Sequence, residues 1–454
     1  MTKLTYEQLR FPNYRNTNTA VRLRVNVDGK IETISLSLSD LVYAAEIAGL
    51  NMLAVADTGR GKTQLMTDIA WHHFGGDQES GNANWADGRP SFDITDLFER
   101  QEVDLSSGRF DSNTIRQLRR DKTGRCFFGV DELNRAPNPK QNEFFDLADG
   151  KYTFDGQRYK LGRDDYALFM STANLNKVNG DFSGTFGLDR ALLNRAHLTL
   201  DLDHKDFRPT AEDELAIEER KANPRVDVPP PQDISDGIIE INHQIREDSK
   251  KLDPYLTAFR FLIGRGLDYC DTDKYKDKGA FPTLCGDCSF SGKDLCSLVK
   301  GSSERTIAAI KALAYGLSHI AKLKLGKEVE IDPFDAALQA FRFTTYHGNL
   351  NDVIASDEYG ERRQTMMDEA VQELSGRVRI LEPYIPQMLE GYQPVSLVYN
   401  SNGKERRATR TDELVAKLDK NKISYQTTNL KTELKEKGIG TDWINAYVKK
   451  FGRK

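Results

Sequence analysis

An apolar run, Met52–Ala56, passes without a spacer into Asp57-Thr58-Gly59-Arg60-Gly61-Lys62-Thr63, and a helix-patterned stretch, KTQLMTDIAWHHF, follows at once. Gly59 and Gly61 let the backbone turn its N–H groups inward, where a Cβ would clash. The helix N-terminus behind them adds a dipole that favours an anion. A strand, a glycine turn and a helix in this order fit a loop that cradles phosphate. Lys62 is placed to reach the β- and γ-phosphates of ATP, and the Thr63 hydroxyl to ligate Mg2+. The loop spans Ala56–Thr63, with alanine where its first glycine usually stands.

The rest of the chain tells what surrounds this loop. Short apolar strands, MLAVA, CFFGV, YALFMS and HLTLDL, alternate with helical stretches up to Leu202. That pattern predicts an α/β fold, a parallel sheet covered by helices on both faces. Residues 1–38 read as a β-rich extension, because VRLRVNV and IETISLSL alternate as strands do. Ser39 or Asp40 is then expected to cap the next helix. Three successive prolines in PRVDVPPPQD exclude regular helix there. The expected organisation is therefore a large α/β domain over 39–203, a linker over 204–232, a helical domain over 233–348 with a cysteine-bearing insert at 270–296, a helical connector over 349–395 and a small C-terminal domain over 396–454.

A second motif lies 69 residues beyond the lysine. The strand Cys126–Val130 delivers two adjacent carboxylates, Asp131 and Glu132. Asp131 would hold magnesium, and Glu132 would orient and deprotonate an attacking water. Phosphoryl transfer needs mainly such positioning and charge stabilisation. The two carboxylates open Asp131-Glu132-Leu133-Asn134-Arg135-Ala136-Pro137, with Gln141 four residues on. This segment resembles the signature of MoxR-type AAA+ ATPases, P-loop NTPases of the helix-2-insert group. The resemblance covers roughly 39–348 and omits the cysteine insert and the C-terminal domain.

The resemblance carries further roles. Asn174, after strand Tyr166–Ser171, matches the sensor-1 position between Glu132 and the γ-phosphate. Ala191-Leu192-Leu193-Asn194-Arg195 resembles the segment whose last arginine reaches a neighbouring subunit's nucleotide, so Arg195 is the expected arginine finger, with Arg190 as second choice. Ser303-Glu304-Arg305 resembles the sensor-2 motif, in which Arg305 would touch the γ-phosphate. The stretch Leu175–Gly184 departs from the family's proline-bearing version, so a loop of different shape is expected there. Residues Phe144–Tyr159 resemble a pore-facing insert; Tyr152 and Phe154 there fit either substrate-gripping aromatics or ordinary hairpin packing. The family implies self-assembly into a ring, expected as a hexamer, ATP hydrolysis between subunits, and a client or adaptor protein that can carry a von Willebrand A domain.

Charge and cysteine usage bound the remaining options. The net charge is −5, but residues 396–454 hold 14 Lys+Arg against 7 Asp+Glu. Their net of +7 leaves −12 elsewhere. A nucleic-acid-driven motor that grips DNA or RNA with this basic end is thus the alternative to a client-protein remodeller. No apolar run approaches the ~18 residues of a membrane span, and the N-terminus lacks a signal-peptide core, so a cytoplasmic protein is expected. Four of the five cysteines, Cys270, Cys285, Cys288 and Cys296, cluster with the spacing C-x14-C-x2-C-x7-C. Four thiolates suit a closed, structural Zn2+ site, with a [4Fe–4S] cluster as the alternative. The seven histidines show no metal-ligand spacing, and His72-His73, adjacent on a helix, should point apart. Elemental analysis of chelator-free protein should find about one zinc per chain and no visible colour. About four irons in a brown protein would establish the cluster instead, and neither metal would defeat both readings.

Overall fold

The computed structural model describes residues 4–11, 18–77, 80–91, 94–98, 103–104, 109–110, 123–154, 156–174, 185–220, 225–264, 295–344, 349–390, 395–401, 403–409, 412–429, 434, 439 and 443–452. The chain divides into two compact units, 1–251 with 308–367, and 252–307 with 368–454.

The first unit is built on five parallel strands in the spatial order Leu198–Asp201, Met52–Val55, Leu168–Ala173, Phe127–Asp131, Ala83–Asp87. Every residue of the four strands inside the Ala83–Asp87 edge is buried. Burial on both faces is what a helix-covered parallel sheet demands, and it explains why these strands read as continuous apolar runs. The architecture is the expected α/β one, with a parallel sheet. The chain leaves Met52–Val55 for the far edge, returns strand by strand, and ends on the other side of Met52–Val55. The crevice beyond the carboxyl ends of the central strands is therefore a topological switch point. Val55 is in register with Ala173, Val130 with Ser171, and Trp85 with Gly129, so loops leaving these strands emerge together.

The N-terminal extension forms the expected hairpin, Val21–Val27 against Lys30–Leu36, with Glu330–Ile331 as a third strand. Asp28 and Gly29 both take positive φ, 52° and 82°, as a tight two-residue hairpin turn requires. The helix Leu38–Ala48 begins earlier than expected. Ser37, not Ser39 or Asp40, is its cap: Asp40 N–H donates to Ser37 Oγ, and Ser37 N–H donates back to the Asp40 carboxylate.

The helix after the glycine loop, Lys62–Asp68, widens into a π turn, Ile69–His73. Both histidines face inward as a result, their rings 5.3 Å apart, where a regular α-helix would splay them. His73 is fully buried, with Nδ1 2.6 Å from Glu46 Oε2 and Nε2 2.8 Å from the Leu9 carbonyl oxygen. A carbonyl only accepts, so Nε2 carries a hydrogen. Phe11 stacks on the same ring at 4.9 Å, and its N–H donates to the Tyr43 hydroxyl. His73 thus joins the helix Leu38–Ala48, through Glu46, and the N-terminal segment, through Leu9, to the helix that begins at the loop.

Residues 211–220, inside the expected linker, are helical, and 225–232 are irregular as the prolines require. In the second unit, the small C-terminal domain contains three strands. They are Val395–Ser401, Lys404–Thr409 and Tyr425–Asn429, antiparallel with Val395–Ser401 central. The last helix, Ile444–Phe451, is anchored by Trp443 stacked on Phe261 at 5.3 Å and by the Tyr447 hydroxyl donating to Pro254 O.

Replacing Glu46 by alanine should cost about 3–5 kcal/mol of folding free energy, the penalty for stranding one half of a buried pair. Urea denaturation followed by far-UV circular dichroism measures it; a loss below about 1 kcal/mol would mean that the pair holds nothing.

Candidate functional site

The glycine loop is shaped by its backbone. Gly59 and Gly61 sit at φ 76° and 80°, conformations open to glycine, and Gly61 precedes the first turn of Lys62–Asp68. Lys62 is buried and folds back over the loop, donating from Nζ to the carbonyl oxygens of Ala56 (3.0 Å) and Asp57 (2.8 Å). Burial lowers its pKa; the nearby carboxylates of Asp203, Asp131, Asp57 and Glu132 oppose that shift. Asp203, just past the strand Leu198–Asp201, accepts from the Asp57 N–H at 2.8 Å and lies 3.3 Å from Arg60 Nε. Nothing in its sequence context marked Asp203, which braces the loop from the neighbouring strand.

Asp131 ties three elements together. Thr63 Oγ1, on the loop helix, donates to Asp131 Oδ2 at 2.9 Å, and Thr172 Oγ1, on the adjacent strand, donates to Oδ1. The Glu132 N–H donates to Thr172 Oγ1 at 2.8 Å. Glu132 takes a positive φ of 51°, rare for a non-glycine residue, and turns the chain sharply off the strand end. Its carboxylate pairs with Arg135 at 2.8 Å. The oxygens of Thr63 and Asp131 are the hard ligands that magnesium prefers.

The turn after Glu132 is stitched to its surroundings by the two amides of the motif. Asn134 Nδ2 donates to Asn174 O, and Asn174 N–H donates back to Asn134 Oδ1. The Asn174 side-chain oxygen is buried and takes no hydrogen bond among the described residues, as suits a side chain reserved for a ligand. Gln141 reaches the segment leading to the helix Arg190–Leu193.

The predicted arginines fare differently. Arg195 is engaged within its own chain: Nε donates to Asp149 at 3.1 Å, a terminal nitrogen donates to Ala191 O, and the guanidinium lies over the Phe145 ring. Arg190 is exposed at the start of its helix. Arg305 is exposed in the first turn of Glu304–Leu325, in the second unit. Tyr152 is buried and stacked on Phe98 at 4.2 Å, so it is hairpin packing; the Phe154 side chain lies outside the described residues. So do Cys270, Cys285 and Cys288, and the side chain of Cys296 in the short helix Leu295–Leu298. Cys126 is a buried free thiol whose pKa burial pushes up to about 11, as a core residue should be.

A cavity of about 290 Å³ opens beside the loop, lined by Leu38, Gly59, Gly61, Leu65, Phe207 and Ile217 among others. No described helix is long and apolar enough to cross a membrane.

No protein-family model matches the chain, and no curated protein matches it. Among solved structures it is similar to a candidate ATPase from Cytophaga hutchinsonii, at 16% identity and a TM-score of 0.47, over 73% of this chain and 88% of that one.

Gly88 is a further residue that the sequence did not mark. Its N–H donates to Asp131 O at 2.6 Å, and a Cβ there would stand 2.4 Å from Glu132 O. Gly88→Ala must therefore displace the backbone that aims Glu132. For the ATP hydrolysis that the sequence leads one to expect, nucleotide affinity should stay within about threefold while turnover falls about 10–100-fold, the scale of a misplacement of about 1 Å. Steady-state hydrolysis beside calorimetric titration separates the two, and undiminished turnover would refute the close fit.

Proposed function

We propose that this chain is an ATP-hydrolysing ring ATPase of the MoxR-like AAA+ type that remodels or activates a client protein. The observation that carries the reading is convergence: Lys62, the Thr63–Asp131 pair, Glu132 and Asn174 all emerge at the carboxyl edge of one parallel sheet.

In this reading the loop N–H groups bind the phosphates. Lys62 exchanges its two loop carbonyls for phosphate oxygens, a stronger, charge-assisted partnership. Thr63 and Asp131 would hold magnesium, which when bound neutralises charge on the β- and γ-phosphates. Glu132 leaves Arg135, orients the attacking water and accepts its proton. Asn174 turns its unpaired oxygen toward that water. The cavity beside Gly59 receives the nucleoside. Arg305 serves as the sensor of nucleotide state, and Arg195, or the more exposed Arg190, serves a neighbouring copy's ATP. A ring, expected as a hexamer, an adaptor with a von Willebrand A domain and a cytoplasmic location belong to the same proposal. The structural Zn2+ site, or its [4Fe–4S] alternative, at Cys270, Cys285, Cys288 and Cys296 rests on their spacing alone.

The nucleic-acid alternative draws on one observation: Lys404 and Arg406 are exposed on one face of an edge strand in the basic C-terminal region.

Glu132→Gln tests the enzyme directly. ATP binding should persist while turnover falls about 100-fold or more, the loss expected for a general base. Client protein should then co-purify with the ATP-locked variant. Hydrolysis near the wild-type rate would remove Glu132 from the mechanism.

A further inference from the structure

Gln141 is fully buried, and its carboxamide is saturated by backbone. Nε2 donates to Ala136 O at 3.0 Å and to Gly187 O at 3.2 Å, with Asn138 Oδ1 at 3.4 Å. Oε1 accepts from the Asp189 N–H at 2.9 Å. One side chain therefore joins two stretches of backbone: the turn that follows Glu132, and the residues that open the arginine-bearing helix. Asp189 is the cap of that helix, its carboxylate accepting from the Ala191 N–H.

The helix Arg190–Leu193 has only four residues. A helix that short has no stability of its own, so its tethers set its position and direction. Two of these tethers come from the turn after Glu132: Gln141, and the Asn134 carbonyl oxygen, which accepts from the Phe186 N–H at 2.7 Å. Asn134 is also the residue that clamps Asn174. The segment they hold is at the surface, with the Phe186 ring 42% exposed and Asp189 and Arg190 exposed beyond it.

We propose that Gln141 is a positioning residue for the arginine that this chain presents to the nucleotide of a neighbouring copy. It fixes the start of the helix Arg190–Leu193 against the turn that carries Glu132. The proposal rests on the ring-ATPase reading given above. It assigns Gln141 to the donor side of the subunit interface, although the residue lies nine positions from Glu132 in the same chain. A methionine at 141 keeps the volume and removes both donors and the acceptor. A glutamate keeps the acceptor for Asp189 and sets a carboxylate oxygen against two carbonyls.

The test uses full-length protein and mixed assemblies. Gln141→Met should bind ATP within about threefold of wild type and lose at least about tenfold in turnover, with Gln141→Glu behaving alike. Lys62→Ala supplies intact arginines but has no working ATP site. The double variant Arg190→Ala/Arg195→Ala has a working site but no arginine. Mixing Gln141→Met with Lys62→Ala should raise activity at least about fivefold above the mean of the two alone, because a supplied arginine is worth roughly 10³–10⁵ in rate. Mixing Gln141→Met with the double arginine variant should restore nothing. Gln141→Glu is read in the same two mixtures and keeps the test decisive if Gln141→Met does not fold. The control is Lys62→Ala mixed with the double arginine variant. A control that recovers beside Gln141 variants that Lys62→Ala cannot rescue overturns this proposal alone and places Gln141 in its own chain's site. A control that fails removes the arginine acting between copies, and the proposal with it. Wild-type turnover in both Gln141 variants overturns it as well.

Discussion

The Asp131 carboxylate receives hydroxyl hydrogens from two threonines on two different elements, Thr63 of the loop helix and Thr172 of the neighbouring strand. Each bond alone is worth about 1.5–3 kcal/mol, the range for a charged acceptor. Their effect on geometry is larger than that sum. They fix the loop helix, the carboxylate strand and the strand Leu168–Ala173 to one another at a single point. Thr172 then passes the constraint on by accepting from the Glu132 N–H, where the backbone turns at a positive φ. Without that junction three strand ends would lie near one another with no common reference.

Charge is arranged around the same junction. A buried ammonium at Lys62 is costly to desolvate, and burial lowers its pKa. Four carboxylates, from Asp203, Asp131, Asp57 and Glu132, pull the other way. The lysine satisfies two of its donors on the carbonyls of its own loop. The loop is thus shaped around its own lysine.

Much of this was legible in the sequence, and the reasons differ by region. The loop was legible because its backbone geometry admits few residues, so Gly59, Gly61, Lys62 and Thr63 appear as a pattern. The parallel sheet was legible because strands buried on both faces need unbroken apolar runs. Asp203 and Gly88 were not legible: one acts on the loop from 146 residues away in the chain, through the Asp57 N–H and the Arg60 guanidinium, the other through the absence of a Cβ, and neither leaves a local pattern. Gln141 stood in a recognisable motif, but its three backbone partners become apparent only when residues 136 and 187–189 are brought together. The C-terminal strands were missed although Asn402-Gly403, between VSLVYNS and KERRAT, is a strong two-residue hairpin signal. The inward turn of both His72 and His73 depends on a π turn, for which the sequence carries no signature.

The register that sets Trp85 beside Gly129 has an optical consequence. The chain has three tryptophans. Trp71 lies in the π turn that continues the loop helix, and Trp85 lies on the strand paired with the carboxylate strand. Trp443 belongs to the second unit, stacked on Phe261. An indole responds to small changes in the field and packing around it. The intrinsic emission of this protein therefore separates by origin, two fluorophores in the first unit, one on the continuation of the loop helix and one beside the carboxylate strand, and one in the other unit, so single-tryptophan versions follow each unit without an added dye.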